Sequence, residues 1–198
     1  MIGFDDYAQP DFFRFGWDQL FLVKTVLEHS VHTSVDVLVE LGAGSGVLSC
    51  ELSQKLPIAE AHLVEYQQLE WEPYLTQNVL KQGRLPSVTY HWQKVSEFNL
   101  HSEIQAQVLL CNPPYFLVRS GRASLDPRRN IAHRFVVDEF QAWVDAMARS
   151  IAVGGEAWWL HRDPGPQGKP QIPPGFEIKH VMRSGRMRVI RLTRLNVE

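Results

Sequence analysis

Residues 110–116 read Leu-Cys-Asn-Pro-Pro-Tyr-Phe, and this stretch decides how the fold is interpreted. Two adjacent prolines cannot lie within a helix or a central strand, because neither has an N–H group to donate and each restricts the preceding residue to extended geometry. The apolar run 107–111 is typical of a buried parallel strand that ends at the prolines. Open α/β sheets bind ligands at the carboxyl ends of such strands. The amide, the prolines and the tyrosine are therefore predicted to project into a ligand site.

A second apolar run, Val35 to Leu41, leads into a glycine-rich loop at residues 42–46 (Gly-Ala-Gly-Ser-Gly), and a helix is predicted from Val47 to Leu56. A strand, a glycine turn and a helix in this order are typical of a ligand loop. The glycines let the backbone approach the ligand closely, and the helix N-terminus offers free N–H groups.

The ligand of this loop is predicted to be cationic. Val47 stands where a dinucleotide fingerprint would have its last glycine, and Glu40 ends the preceding strand. An acid at this place suits S-adenosylmethionine (SAM) better than a pyrophosphate. A strand at 62–66 then places Glu65 one strand-helix-strand unit after the glycines, where a carboxylate can accept both hydroxyls of a ribose.

The middle of the chain continues the alternation of helices and strands. A helix is predicted over 67–82, with Pro73 limiting its start to near Trp71 and Gly83 as its C-cap. Its inward residues are predicted to be Trp71, Leu75, Val79 and Leu80. A third strand is predicted over 88–92, and the turn 93–98 would approach the adenine of a bound cofactor.

The N-terminal segment, residues 1–34, is rich in aromatic side chains and contains a predicted helix from Asp18 to His29 with Asp18 as its N-cap. We expect the aromatics to anchor this segment on the remaining core, residues 35–198. The alternative is that some of them line a substrate cleft.

The second half combines a long basic segment with the last predicted strands. Residues 118–134 are polar and rich in arginine, and a loop this long beside a ligand site is usually functional. The alternative is a solvated loop whose arginines pair with acids elsewhere. A helix at 137–152, a strand at 156–160 and a hairpin of strands 176–182 and 187–192 complete the chain. The hairpin arginines suit either an edge strand or RNA.

Composition favours a single domain of 198 residues, since 44% of them are hydrophobic. The net charge of -2 excludes a global polycation, so any nucleic-acid binding must be local. Cys50 and Cys111 are predicted to be buried free thiols, which favours a reducing cytoplasm. The sequence shows no metal motif, signal peptide or membrane-spanning run. The predicted fold class is α/β, with a mostly parallel seven-stranded sheet, helices on both faces and an antiparallel C-terminal hairpin.

This order of parts resembles the Rossmann-like class I SAM-dependent methyltransferases. It is most similar to the bacterial tRNA adenine-N6 methyltransferases that act on a valine tRNA. The resemblance covers Phe15 to Leu160. It is carried by residues 15–18 (Phe-Gly-Trp-Asp), 40–46 (Glu-Leu-Gly-Ala-Gly-Ser-Gly) and 112–116 (Asn-Pro-Pro-Tyr-Phe), with Arg129, Ala132 and His133 downstream. One departure is Lys94, which stands where the family usually has an acid that contacts the cofactor's adenine amine; Glu97 could substitute for that acid.

The resemblance implies N6-methylation of an adenine in RNA, with tRNA as the expected substrate and SAM as the cofactor. Asn112 and the Pro113 carbonyl would accept hydrogen bonds from the target amine, and Tyr115 would stack on the base. The implied catalytic residues are Asn112, Pro113, Pro114 and Tyr115. The implied cofactor-binding residues are Asp18, Glu40, Gly42, Ala43, Gly44, Gly46, Glu65, Tyr66, Lys94, Val95 and Asn112. The implied RNA-binding residues are Phe116, Arg119, Arg128, Arg129 and His133.

Other functions remain open on the sequence alone. Protein glutamine N5-methyltransferases share the Asn-Pro-Pro-Tyr motif, but they carry a sizeable N-terminal helical domain, whereas 34 residues precede the first predicted strand here. Methylation of adenine in ribosomal RNA or DNA is a further alternative, although no target-recognition domain is evident. A noncatalytic SAM- or RNA-binding protein is the alternative from another class. We expect a cytoplasmic monomer that binds RNA and no membrane or metal.

Overall fold

The computed structural model describes residues 6–99, 105–116, 124–134, 138–163 and 170–196. Within these ranges, seven strands form one sheet in the order β3-β2-β1-β4-β5-β7-β6. β7 is antiparallel to both of its neighbours, and the other pairs are parallel. The strands are β1 (Val35–Leu41), β2 (Ile58–Glu65), β3 (Val88–Trp92), β4 (Ala106–Cys111), β5 (Ile151–Arg162), β6 (Phe176–Ser184) and β7 (Met187–Arg194). The predicted fold class is confirmed.

Helices cover the two faces of this sheet. The helices are α1 (Trp17–His29), α2 (Val47–Ser53), α3 (Gln68–Gln82), α4 (Pro127–His133) and α5 (Phe140–Ser150). Buried side chains of α1, α2 and α3 belong to one apolar cluster, and those of α5 belong to a second. Neighbouring residues along β4 alternate between the clusters: Val108 and Leu110 join the first, Leu109 and Cys111 the second. This alternation shows that the clusters lie on opposite faces.

The order of the strands creates a switch point between β1 and β4. Leu41, the last residue of β1, pairs with Cys111, the last residue of β4. The glycine loop and the Asn-Pro-Pro-Tyr segment, which are far apart in sequence, therefore leave the sheet side by side. Ligands of open α/β sheets bind at such switch points.

Several element boundaries differ from the sequence-based expectations. α1 begins at Trp17 with Gly16 as its N-cap, so the prediction that Asp18 is the N-cap is wrong. α3 begins at Gln68, and Pro73 lies inside it. Pro73 lies on the exposed side, and the carbonyl that it leaves without a helical donor belongs to Leu69, which is 87% exposed and open to water.

Two further differences concern burial and an additional helix. Leu80 is 78% exposed, so the prediction that it faces the core is wrong; the inward face of α3 consists of Trp71, Leu75, Asn78 and Val79. The described part of the predicted basic loop contains α4, whose N-cap Asp126 accepts a hydrogen bond from the Arg128 backbone. The expected burial of both free cysteines is confirmed.

Gly46 is required by the packing of α2 against α3. Its φ is +72°, and a Cβ atom added there would lie 2.4 Å from Cδ1 of Leu75, which is fully buried. Gly185 in the β6–β7 turn also has a positive φ, of +56°, but a Cβ atom there would meet no atom within 4 Å. A side chain at Gly46 would therefore meet both backbone strain and steric overlap, whereas one at Gly185 would meet backbone strain alone.

We expect Gly46→Ala to lower the free energy of unfolding by about 2–4 kcal/mol, the sum of left-handed strain and overpacking. The matched control, Gly185→Ala, carries the strain alone and should cost about 1 kcal/mol. Urea denaturation followed by circular dichroism measures both. Equal losses in the two variants would show that Leu75 imposes no packing requirement on Gly46.

Candidate active site

A cavity of about 110 Å³ lies where β1, β2 and β4 end. Its walls come from the glycine loop, the end of β2, the Asn-Pro-Pro-Tyr segment, the N-terminal segment and α4. The predicted site residues that it brings together are Glu40, Gly42, Ala43, Gly44, Glu65, Tyr66, Val95, Asn112, Pro113, Pro114 and Tyr115. Most of the predicted cofactor and catalytic residues therefore share one pocket.

The glycine loop turns tightly over this cavity. Gly42 and Gly44 have φ values of +68° and +52°, a region that favours glycine. The Gly44 N–H group donates to Oε2 of Glu65 at 3.0 Å, which connects the loop to the end of β2. Gly46 does not line the cavity, because its place at the N-cap of α2 turns it towards Leu75.

Glu65 is buried and held by backbone donors. Its Oε1 accepts hydrogen bonds from the N–H groups of Tyr66 at 2.7 Å and Gln67 at 2.9 Å, in addition to the bond from Gly44 to Oε2. Burial raises the pKa of Glu65, although these hydrogen bonds act in the opposite direction. Each carboxylate oxygen can accept two hydrogen bonds, so Oε2 keeps one acceptor position for a ligand hydroxyl.

Glu40 is a second buried acid in the cavity wall. Its Oε2 accepts from the Ser49 N–H group at 3.0 Å and also contacts the Ser49 hydroxyl. The carboxylate thereby supplies the acceptor that Gly46, which has no side chain, cannot offer to the first turn of α2. Burial raises the pKa of Glu40 to about 7, and the nearby Glu65 acts in the same direction.

The Asn-Pro-Pro-Tyr segment is held at its C-terminal end by the backbone around His133. The backbone N–H groups of Tyr115 and Phe116 both donate to the carbonyl oxygen of His133, at 3.1 Å each. Phe116 also forms an isolated parallel bridge with Arg134. The end of α4 therefore packs directly against the segment that follows β4.

Asp18 lies beside the Asn-Pro-Pro-Tyr segment, and its role as a cofactor ligand stays a prediction. Its Oδ2 accepts a hydrogen bond from the Tyr115 hydroxyl at 3.0 Å, and the same hydroxyl contacts Oδ1 of Asn112. Asp18 is absent from the cavity wall. The contact with Tyr115, 97 residues away in sequence, has no local sequence signal.

Among the described residues, the predicted RNA-binding residues Phe116, Arg128, Arg129 and His133 do not line the cavity, and they differ in their surroundings. Arg128 is engaged by Asp126 at 2.8 Å and Asp11 at 3.6 Å, and its guanidinium lies 4.9 Å from the centre of the Phe12 ring. This pairing agrees with the alternative in which the arginines meet acids. Arg129 is exposed, and Arg119 lies outside the described residues.

His133 and Phe116 are sequence neighbours of cavity-wall residues, and both make contacts through their rings. The His133 ring lies 5.0 Å from the Phe13 ring, centre to centre, and burial lowers the pKa of His133. Phe116 is 38% exposed, and the guanidinium of Arg162 lies 5.3 Å from the centre of its ring. His133 is thus a neutral packing residue near pH 7, whereas Phe116 presents an aromatic surface.

The N-terminal segment packs on the core and lines the cavity at the same time. Phe12 and Phe13 contact the Trp71 ring edge-on, at 5.0 and 5.6 Å between centres, and Phe13 and Phe15 form part of the cavity wall. Phe12 therefore packs on the core without lining the cavity, whereas Phe13 does both.

Asn78 fastens this N-terminal segment to the glycine loop. It accepts from the Ala8 N–H group at 2.8 Å and donates to the carbonyls of Ala8 at 2.9 Å and Ser45 at 2.8 Å. Nothing in the sequence distinguished Asn78 from an ordinary helix residue.

Comparisons with known proteins agree with this architecture. No protein family model matches the chain. Two curated relatives are ribosomal RNA large subunit methyltransferases G, from Shewanella loihica (27% identical over 124 residues) and Shewanella oneidensis (26% over 95 residues). The matches cover 59% and 46% of this chain but 29% and 24% of those proteins, so the chain spans less than a third of their length.

Solved structures of low sequence identity share the fold. The Escherichia coli protein yhhF, named as a methyltransferase, superimposes with a TM-score of 0.65 at 15% identity, over 96% of this chain and 92% of its own. The chain has the class I methyltransferase fold. A 16S rRNA N2 methyltransferase from Thermus thermophilus, in complex with AdoMet and guanosine, gives a TM-score of 0.59 at 18% identity, over 91% of this chain and 44% of its own.

Within this methyltransferase fold, the turn after β3 departs from expectation. Lys94 and Glu97 form an exposed ion pair at 3.7 Å, and neither lines the cavity, although Val95 between them does. The acid that does line the cavity here is Asp138, whose Oδ2 accepts from the Ser96 N–H group at 3.3 Å. Asp138 was missed because only the tertiary structure brings it beside the turn.

The described residues contain neither a membrane-crossing helix nor a cluster of metal ligands. None of the helices in these parts of the chain combines the length and apolar character that a bilayer crossing requires. Among the same residues, no group of three or more histidine, cysteine or acidic side chains is placed to hold a metal ion.

The raised pKa of Glu40 predicts a pH-dependent stability. The folded chain keeps a proton on Glu40 up to a pH of about 7, whereas the unfolded chain releases it near the ordinary value of 4.5. The folded state therefore binds more protons between these values, and stability falls as pH rises through this window. The full effect is about 3 kcal/mol, and Glu65 adds to it in the same direction.

We expect the free energy of unfolding of the cofactor-free chain to fall between pH 5 and pH 8, and Glu40→Gln to flatten this slope. Urea denaturation at several pH values measures it. The matched control is Glu28→Gln, which removes an exposed acid and should keep the wild-type slope. An unchanged slope in Glu40→Gln would show that Glu40 is ionised throughout this range.

Proposed function

We propose that this chain binds SAM and transfers its methyl group to an exocyclic amine of a base in RNA. The observation that carries the proposal is the meeting, in one cavity, of the glycine loop, two buried acids and the Asn-Pro-Pro-Tyr segment. The cofactor would be bound by the loops after β1 and β2 and the target amine by the segment after β4. All three leave the sheet at the carboxyl ends of neighbouring strands, so the two reactants would lie close enough for direct transfer.

The cofactor side of the cavity suits SAM in charge and shape. Glu40 and Glu65 are buried acids in its wall, and a cationic ligand beside them would offset the cost of ionising them in the interior. Oε2 of Glu65 is available to a ribose hydroxyl, and Val95 and Trp143 offer apolar surface. When bound, SAM supplies an activated methyl group on a sulfonium ion.

The acceptor side would hold the amine by hydrogen bonds. The side-chain oxygen of Asn112 and the carbonyl oxygen of Pro113 accept from the two N–H bonds of the amine, which directs its lone pair towards the methyl group. Tyr115 stacks on the base. The residues contribute orientation and the exclusion of water, and they need not include a strong base.

Exposed aromatic residues that adjoin Asp18 and Tyr115 in sequence favour a nucleic-acid acceptor. Trp17 is 75% exposed, and it precedes Asp18, which bonds to Tyr115. Phe116, the next residue after Tyr115, is 38% exposed and lies beside Arg162. Unstacked bases of single-stranded RNA bind to aromatic faces and guanidinium planes in this way. The target base would be extruded into the cavity while its neighbours stack outside.

Two RNA classes follow from different observations. The sequence resemblance points to N6 of an adenine in tRNA. The names of the curated relatives favour ribosomal RNA as the second candidate, and one solved structure of the same fold holds guanosine. Incubation with SAM and each purified RNA, followed by nucleoside mass spectrometry, separates N6-methyladenosine from N2-methylguanosine.

The decisive variant is Asn112→Ala. We expect it to slow methyl transfer at least 100-fold, because the amine loses its acceptor, while the SAM dissociation constant measured by calorimetry changes less than about threefold. The matched control, Asn196→Ala, removes an exposed amide near the C-terminus and should leave both values unchanged. Absence of SAM binding by the wild type at near-millimolar cofactor would refute the proposal in favour of a noncatalytic protein. Methylation of a glutamine peptide in place of RNA would assign a protein substrate.

The proposed stacking surface is tested by Trp17→Ala. Loss of one base stack of about 1–3 kcal/mol should weaken binding of a single-stranded RNA oligonucleotide roughly 5- to 150-fold, with SAM affinity retained. The matched control is Leu80→Ala, which removes a side chain of similar exposure on α3, away from the cavity wall. Fluorescence anisotropy of a labelled oligonucleotide measures both. Equal RNA affinity in the two variants would exclude Trp17 from the RNA surface.

A further inference from the structure

The Tyr115 hydroxyl lies between two oxygen acceptors, although it has one proton to donate. Oδ2 of Asp18 is 3.0 Å away, and Oδ1 of Asn112 is also in contact. A phenol can donate to one acceptor at a time, whereas an ionised carboxylate can only accept. The hydroxyl therefore donates to only one of these two oxygens, and the other group must change its orientation to avoid two oxygens facing each other.

We propose that Asp18 is a positioning residue. It accepts the hydrogen bond of the Tyr115 hydroxyl, and the Asn112 amide thereby turns so that its oxygen faces the acceptor amine. This inference rests on the proposed function and extends it to the orientation of the acceptor side. With its proton directed at Asp18, the phenol oxygen presents a lone pair to Asn112. The amide of Asn112 satisfies that lone pair by donating from Nδ2, after rotation about its Cβ–Cγ bond.

The rotation matters because the two ends of an amide have opposite hydrogen-bonding character. With Nδ2 bound to the phenol, Oδ1 of Asn112 is left without that contact and can accept from the target amine. If the phenol donated to Asn112 instead, Oδ1 would be turned towards Tyr115 and Nδ2 would occupy the position that faces the target amine. The N–H groups of the amine would then meet the N–H groups of Nδ2, and neither can accept. Asp18 thus decides between a productive and an unproductive orientation.

Asp18 is itself held in place by the start of α1. Its Oδ1 accepts from the Gln19 N–H group at 3.1 Å, and a carboxylate in the first turn is stabilised by the helix dipole. Gln19 in turn accepts from the Gly16 N–H group at 2.8 Å. A Cβ atom at Gly16 would lie 3.1 Å from Oδ1 of Asp18, so glycine leaves room for the carboxylate.

Tyr115 is equally constrained. Its backbone N–H group is bound to the His133 carbonyl, and its ring forms part of the cavity wall. Burial and the charge of Asp18 raise the pKa of Tyr115 well above its ordinary value, so the hydroxyl remains a donor at any physiological pH. The carboxylate and the phenol therefore meet in a fixed geometry across 97 residues of sequence.

The test is a double-mutant cycle of Asp18→Asn and Tyr115→Phe with four measurements: the SAM dissociation constant, the free energy of unfolding, kcat for RNA at saturating SAM, and the Asn112 side-chain NH₂ resonances. Asparagine at position 18 keeps the shape but can present either a donor or an acceptor to the phenol. We expect Asp18→Asn to lower kcat about tenfold, with SAM affinity unchanged. The small loss of stability expected from removing a negative charge at the start of α1 should be the same on both Tyr115 backgrounds. In the Tyr115→Phe background, the same substitution should change kcat less than about twofold.

The nuclear magnetic resonance measurement does not depend on turnover. The Asn112 amide resonances, identified by their loss in Asn112→Ala, should shift in Asp18→Asn and Tyr115→Phe alike, and stay in place in the α1 control Glu28→Gln. Asp18→Glu, which retains the carboxylate, should recover part of the lost kcat. An equal loss of kcat on both backgrounds, or Asn112 resonances that Asp18→Asn leaves unmoved, would overturn the inference. Failure of the wild type to methylate any RNA would refute the proposed function instead, and the resonances would still report on Asp18.

Discussion

The pairing of β1 with β4 is the constraint on which the site depends. Leu41 and Cys111 lie opposite each other at the ends of these strands, so two loops that are far apart in sequence start from adjacent positions. β2 is parallel to β1 and ends beside it. The carbonyl of Val64, near the end of β2, accepts a hydrogen bond from the Ala43 N–H group at 2.9 Å. Three strand ends therefore supply one cavity, and both faces of the sheet are buried to hold them in register.

The cavity contains acids whose ionisation the fold opposes. Glu40 and Glu65 are both almost fully buried, and hydrogen bonds from backbone N–H groups offset part of the cost of desolvating them. The same N–H groups come from the first turn of α2 and from the chain just after β2, so the acids also order the loops around the ligand. Burial opposes the ionisation of both acids, and under the proposed function a positively charged ligand beside them would favour their ionised forms.

Much of the sheet could be predicted because its strands have clear ends. The bounds of β1 and β3 match the sequence-based ones, since each is an apolar or β-branched run next to glycine, proline or polar residues. The glycine loop and the Asn-Pro-Pro-Tyr segment were placed correctly for the same reason: local rules of backbone conformation dictate them. Helix ends were less certain, as Pro73 shows, because an exposed carbonyl can lose its helical partner at small cost.

Contacts between distant elements could not be predicted from local patterns. The hydrogen bond between Asp18 and Tyr115 was not predicted, because it forms only where the start of α1 packs against the segment after β4. Asp138 and Asn78 carry no sequence signal, since their importance comes from neighbours 42 and 70 residues away. The fold class follows from the order of the elements, whereas the roles of individual polar side chains depend on how the elements pack.

The N-terminal segment connects three parts of the site. Phe13 and Phe15 form part of the cavity wall, and Asp18, a few residues further on, holds the tyrosine of the acceptor side. Asn78 ties the start of the segment to the Ser45 carbonyl in the glycine loop. Displacement of this one segment would therefore change the cavity wall, the hydrogen bonds to Asn78 and the contact with Tyr115 at the same time.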